Sequence, residues 1–275
     1  MTLRFLLSAV ASLVIAAAPA TAEPSRNETL AVADRPVEVS VWDSASTPRG
    51  IVLFGHGYNS NPARYDALLT GWSQAGYQVY APLAVDSRQH PDNAAYNPQT
   101  ATLARIETLQ MMRGYIAEAH PDTPVILAGH SFGSLMSLLG GGAGFIAGQL
   151  DGPPVAGVLA FSSAGALPQL LGANPYASLD VPMLMITGTN DTVPQFAPDW
   201  RAHRLPFDTS PAGDKYLAIV EEGDHSLVRM ADPRDAATMP LLSRLFLDAY
   251  AGGDEMARAV LGKLDNSDRM RFERR

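Results

Sequence analysis

Short apolar runs bounded by glycine or proline recur along this chain, and segments of helical period separate them. "GIVLFGHG" (50–57), "YQVYAPL" (77–83), "PVILAG" (124–129), "VAGVLAFSS" (155–163), "VPMLMITGT" (181–189) and "KYLAIVEEG" (215–223) read as strands buried on both faces. Between them, "PARYDALLTGWSQAG" (62–76) and "QTATLARIETLQMMRGYIAEA" (99–119) carry apolar residues at helical spacing, and Gly76 can close the first. Before them, after a polar opening, "RPVEVSVWD" (35–43) alternates as an edge strand does, and "MPLLSRLFLDAYAGGDEMARAVLGKL" (239–264) is a helical region interrupted at Gly252-Gly253. Parallel strands need crossover connections, so the order implies a mainly parallel sheet with helices on both faces. No repeat or linker divides the chain. It should form one domain over residues 23–264, followed by a polar, solvated tail at 265–275.

Residues 1–22 follow another logic. Arg4 precedes an apolar stretch of small side chains too short for a comfortable membrane span, and Ala20-Thr21-Ala22 offers an A-x-A cleavage pattern. This predicts a secretory signal peptide, a periplasmic or extracellular protein, and no stable membrane anchor after cleavage. The absence of cysteine excludes disulfides and thiolate metal sites. A net charge of −8 without a basic cluster gives no footprint for nucleic acid.

Chemistry concentrates where "PVILAG" turns into "SLMSLLG". There Gly129-His130-Ser131-Phe132-Gly133 places a serine at the carboxyl end of a strand, where ligands collect in such sheets. Glycines at 129 and 133 allow a turn in which larger side chains would strike the neighbouring strand or helix, and the hydroxyl protrudes.

A lone serine is a weak nucleophile and needs a base that is itself held in one tautomer. His225, in a loop directly after the last predicted strand, is the candidate base. His56 and His130 belong to turns beside the site and are expected to serve loop structure, while His90, His120 and His203 lie in polar segments and read as solvated. Asp191, just beyond the penultimate strand, is the candidate acid, because the preceding strand end, "VLAFSSAG", holds no carboxylate. Asp224 and Glu222 adjoin His225 in sequence but read as exposed turn residues. An oxyanion cradle would use the backbone N–H groups of Phe132 and of Tyr58 in "LFGHGYNSN". The glycine cluster 140–144 lacks the Lys-Ser/Thr of a phosphate loop and reads as a closely packed helix end.

With Ser131, Asp191 and His225 in that chain order and an H-G loop upstream, residues 36–264 resemble the α/β-hydrolase superfamily. "GHSFG", "VLFGHGYNSN" and "FLDAYAGGDEMARAVL" look like its secreted esterase branch, related to platelet-activating-factor acetylhydrolases, chlorophyllases and polyester hydrolases. Ser134 departs from the glycine many members carry. Serine at 131 argues against dienelactone hydrolases, dehalogenases and epoxide hydrolases. The resemblance implies an α/β-hydrolase fold with minimal or no cap domain and a serine esterase that cleaves small or polymeric esters through an acyl-enzyme. No metal or organic cofactor is expected. An amidase or thioesterase with the same triad, or a non-catalytic secreted binding protein of this fold, is the alternative.

Overall fold

The computed structural model of the protein describes residues 23–163, 165–167 and 169–275; the expected signal peptide at 1–22 lies outside them. Nine strands form a single sheet: β1 (Arg26–Val32), β2 (Arg35–Trp42), β3 (Gly50–Gly55), β4 (Tyr77–Pro82), β5 (Val125–His130), β6 (Gly157–Phe161), β7 (Met183–Asn190), β8 (Lys215–Asp224) and β9 (Met270–Arg274). Their spatial order is β1-β2-β4-β3-β5-β6-β7-β8-β9. The run from β4 to β8 is parallel, while β1, β2 and β9 pair antiparallel at the two margins.

Among the described residues six α-helices accompany the sheet: α1 (Asp66–Gln74), α2 (Pro98–Ala119), α3 (Phe132–Gly140), α4 (Leu205–Thr209), α5 (Pro233–Tyr250) and α6 (Glu255–Leu261). α5 starts at Pro233, ahead of the apolar run that opens at Met239, because Asp232 caps it by accepting from the Arg234 N–H, whereas α2 begins where its sequence says it should. Asn97 accepts hydrogen bonds from the N–H groups of Gln99 and Thr100 ahead of α2, and Pro98 fills the first helical position, where no N–H is needed.

Two apolar layers sandwich the sheet. On one face Leu68 and Trp72 of α1 and Phe246 of α5 cover Phe54, Ile126 and Phe161. On the other, Ile106 and Met112 of α2 and Leu135 of α3 cover Leu53, Leu127 and Val158. The strands β3, β5 and β6 are therefore buried on both sides, which is why their sequences run apolar without alternation. α3 ends at Gly140, as the glycine cluster suggested: a Cβ there would stand 2.5 Å from Leu127 Cδ1, and one at Gly141 2.5 Å from Val158 Cγ2.

The margins differ from the sequence reading. The "RPVEVSVWD" strand is β2 and is not the edge, because the polar opening itself pairs with it as β1. The tail at 265–275 is not simply solvated, since it contains β9. Phe272 there is 6% exposed and stacks on Tyr216 at 5.9 Å between ring centroids. One inward aromatic in "MRFER" suffices, because β8 would otherwise present a bare hydrogen-bonding edge. Between β6 and β7 no helix or strand occurs among the described residues.

Candidate active site

The turn from β5 into α3 holds Ser131 at φ +53°, ψ −115°, a backbone conformation that L-residues rarely adopt. The close packing around it is severe. A Cβ on Gly129 would lie 2.4 Å from the carbonyl carbon and oxygen of Gly133, and one on Gly133 only 1.9 Å from the carbonyl oxygen of Gly55. Glycine at both positions is what allows the strand, the turn and β3 to meet. Ser134, the departure from the usual glycine, fits: its hydroxyl donates to the Ser131 carbonyl at 2.6 Å.

β7 and β8 deliver the other two groups to the same sheet edge. Asp191 follows β7 directly, and His225 follows β8. Ser131 Oγ lies 3.1 Å from His225 Nε2, and His225 Nδ1 lies 2.7 Å from Asp191 Oδ1. The structure thus brings together three side chains remote in sequence in the geometry of a proton relay. Burial pushes the Asp191 carboxyl up, but hydrogen bonds from His203 and His225 outweigh it and hold the group well below the usual carboxylate range. Asp224 and Glu222 are exposed, as expected: Asp224 accepts from the Ser226 N–H at 2.6 Å, and Glu222 pairs with Arg234.

The backbone N–H groups of Tyr58 and Phe132 find no acceptor among the described residues. Their rings meet edge to face at 6.3 Å, so the two loops close on one another. A buried network that sequence reasoning missed holds this cradle. The Arg105 guanidinium on α2 grips Asp86 at 2.6 and 2.9 Å, donates to the carbonyls of His56 and Gly57 at 2.8 and 3.2 Å, and lies 5.0 Å from the centre of the Phe132 ring. One cation therefore touches both arms of the cradle. Burial works to raise the Asp86 pKa, but Arg105 prevails and lowers it.

His56 and His130 do serve the loops. His56 Nδ1 donates to the Gly57 carbonyl at 2.8 Å and Nε2 accepts from the Ala84 N–H at 3.0 Å. Burial, then Arg105, pushes it down to about 3, so it is neutral. His130 links the two halves of the site: Gly57 N–H donates to Tyr65 Oη at 3.1 Å, Tyr65 Oη lies 2.9 Å from His130 Nδ1, and His130 Nε2 donates to the His225 carbonyl at 2.7 Å. Burial and the neighbouring His225 push His130 down to about 3.

The three histidines read as solvated all depart from expectation: His90 is half-buried, and its Nδ1 accepts from the Asp92 N–H at 3.1 Å. His120 is half-buried, with Nε2 3.0 Å from Tyr80 Oη. His203 is not solvated at all: it is 1% exposed and its Nε2 stands 3.0 Å from Asp191 Oδ1. It sits in a 3-10 turn, Trp200–Arg204, where residues three apart share a face. The half-buried Trp200 packed against the core is the signal that could have turned His203 inward.

A cleft of about 660 Å³ opens over Ser131 and His225. Its walls are mostly apolar, with Leu103, Phe145, Ile146, Leu170, Val193 and Phe196 among them, and among the described residues no Asp, Glu, Lys or Arg lines it.

The sheet order, the crossover helices and a serine at the strand-to-helix turn define an α/β-hydrolase fold. Residues 46–168 match the family described as serine aminopeptidase, S33. A curated relative, the monoacylglycerol lipase of Mycolicibacterium smegmatis, is 33% identical over 94 residues, which span 34% of this chain and 32% of that protein. Among solved structures, a thermophilic esterase of Thermogutta terrifontis in its native form superposes with a TM-score of 0.62 at 14% identity, over 85% of this chain and 95% of that one. An α-β serine hydrolase homologue from Coxiella burnetii gives 0.61 at 13%, over 80% and 97%.

Proposed function

We propose that the protein is a serine esterase that cleaves carboxylic esters through an acyl-enzyme. The observation that carries this reading is the continuous pair of contacts, 3.1 Å from Ser131 Oγ to His225 Nε2 and 2.7 Å from His225 Nδ1 to Asp191 Oδ1. Ser131 attacks the ester carbonyl, and His225 takes its proton and returns it to the leaving alcohol. Asp191 orients the ring and stabilises the imidazolium. The N–H groups of Tyr58 and Phe132 receive the oxyanion. Water then attacks the acyl-enzyme with His225 as its base.

An ester with an apolar acyl chain suits the largely apolar cleft best, and the named activity of the M. smegmatis relative supports that class. The aminopeptidase description of the matched family raises an amidase as the second reading. A free α-amino group needs a carboxylate to hold it, and among the described residues the cleft lining contains none. We also place the chain near the secreted branch that includes platelet-activating-factor acetylhydrolases, chlorophyllases and polyester hydrolases, and assign residues 1–22 as its cleaved signal. Support for both comes from the sequence.

A fluorophosphonate probe tests the chemistry: it should label the native chain and not Ser131→Ala. Absence of labelling would favour a binding protein. Matched p-nitrophenyl esters, anilides and thioesters of increasing acyl length then separate the substrate classes, and mass spectrometry of the exported protein should find Glu23 as the first residue.

A further inference from the structure

Asp191 is held by two histidines. Its Oδ1 lies 2.7 Å from His225 Nδ1 and 3.0 Å from His203 Nε2, while Oδ2 accepts from Thr187 Oγ1 at 2.8 Å. The second ring nitrogen of His203, Nδ1, is directed at the Ser163 carbonyl oxygen, and Nε2 also stands 3.1 Å from the Asp191 carbonyl oxygen. Every oxygen that faces this ring is a carbonyl or an ionised carboxylate, and these groups only accept. A neutral imidazole carries one N–H, so one of its nitrogens would turn a lone pair toward an oxygen lone pair. Both sides are satisfied only when both nitrogens carry protons. The charge so created is buried, but it sits against the Asp191 carboxylate, and the two form a pair of zero net charge.

Resting on the Ser131–His225–Asp191 relay, we propose that His203 is a positioning residue, a buried imidazolium that clamps Asp191 Oδ1 and fixes the carboxylate against His225. Thr187 holds one carboxylate oxygen, and His203 prevents the other from turning away when His225 changes its protonation. The ring of His203 lies nearly parallel to that of His225, 26° between planes and 5.9 Å between centroids, so the base is also braced across its face.

Titratable groups reach this cluster from three directions. Asp191 comes from the end of β7, His225 and Arg229 from the segment after β8, and His130 from the end of β5. Arg229 adds to the lowering of His130, which is held neutral, with its pKa pushed down to about 3 first by burial and then by His225. Burial opposes a charge on His203, yet the hydrogen bond and attraction of Asp191 outweigh it and raise its pKa, in agreement with the donor count.

The first measurement uses the native chain. Ring nitrogen NMR at pH 7 should find both nitrogens of His203 protonated; a ring with one N–H overturns the proposal. The second compares His203→Gln, which keeps a donor for Asp191 without the charge, with His203→Leu, which removes both. His203→Leu should lose about 10- to 100-fold in kcat with KM within about twofold of native, as supporting residues behind a reactive group do, and His203→Gln should recover part of that loss. An unchanged kcat in a folded His203→Leu refutes the role. Fluorophosphonate labelling run in parallel separates the two layers: an unlabelled native Ser131 overturns the relay itself, whereas normal labelling with native kcat in His203→Leu overturns only the part given to His203.

Discussion

Replacing Arg105 by methionine removes the cation that ties α2 to the His56–Gly57 loop and the Phe132 ring, the two arms of the proposed oxyanion cradle, while keeping a similar apolar stem. Arg105 and Asp86 side chains are 5% and 3% exposed, so the variant strands a carboxylate in the interior. Losing one partner of a buried pair costs about 3–5 kcal/mol. For a domain of this size that lowers Tm by roughly 6 to 20 °C. Because Arg105 holds Asp86 below its ordinary value, the native pair contributes stability above about pH 4, the ordinary Asp range, and loses it as the pH falls through the lowered value. The native-to-variant gap should therefore be full at pH 7 and narrow under acid. The double variant Asp86→Leu/Arg105→Met removes both charges and should regain stability to within about 2 kcal/mol of native. Its activity should stay low, because the His56 carbonyl has lost its Arg105 donor, the Gly57 carbonyl keeps only its other donors, and the Tyr58 N–H is held less firmly in place. Differential scanning calorimetry and p-nitrophenyl acetate kinetics read the two effects separately. A double variant that regains full kcat along with its stability would refute a positioning role for Arg105, and a single variant with native Tm would refute the cost assigned to the stranded carboxylate.

Asp191→Asn should leave the fold intact and reduce kcat by about 10⁴-fold, since an amide can favour the wrong His225 tautomer; steady-state kinetics with an aryl ester measures it. Gly133→Ala puts a methyl group 1.9 Å from the Gly55 carbonyl oxygen and should destabilise the protein by about 3 kcal/mol or more in urea unfolding, with loss of activity. Phe272→Ala should lower stability by about 3 kcal/mol, and truncation after Leu264 should add concentration-dependent aggregation, visible by light scattering, because it bares β8. The raised pKa of His203 means that its ion pair stabilises the fold fully below about pH 6.5, the ordinary histidine value, and that this contribution is lost as pH rises through the raised value. The native-to-His203→Gln stability difference should accordingly be larger at pH 6 than at pH 9.

The interior of the sheet was legible because strands buried on both faces have no polar alternation to confuse them, and Ser131, Asp191 and His225 were legible because each follows a strand end directly. What escaped was set by partners distant in sequence. β9 contains one buried apolar residue, Phe272, beside the partly buried Met270, and only the open edge of β8 makes "MRFER" a strand. Arg105 reads as one more polar residue of an amphipathic helix, while its partners lie at Asp86 and in the carbonyls of His56 and Gly57. His203 stands between Arg201 and Arg204, which advertise a solvated turn, although the eclipsed face it shares with Trp200 points into the core.

Three histidines crowd the sheet edge, with His225 4.8 Å from His130 and 5.9 Å from His203 between ring centroids, and their partners assign them different protonation states. His130 has one oxygen that accepts, the His225 carbonyl, and one that can donate, the Tyr65 hydroxyl, so a single ring proton satisfies it. His203 faces acceptors on both sides and needs two. His225 faces a carboxylate at Nδ1 and a hydroxyl at Nε2. A hydroxyl can donate to a bare nitrogen or accept from a protonated one, so the contacts of this ring suit either state; the Tyr65 hydroxyl would serve His130 in the same way, and it is burial that holds that ring neutral, pushed down to about 3. The group able to exchange a proton during turnover is therefore selected by burial and by the oxygens around it: burial keeps the ring on one flank neutral, acceptors on both sides call for a charged ring on the other, and the half-exposed ring between them has contacts that suit both states.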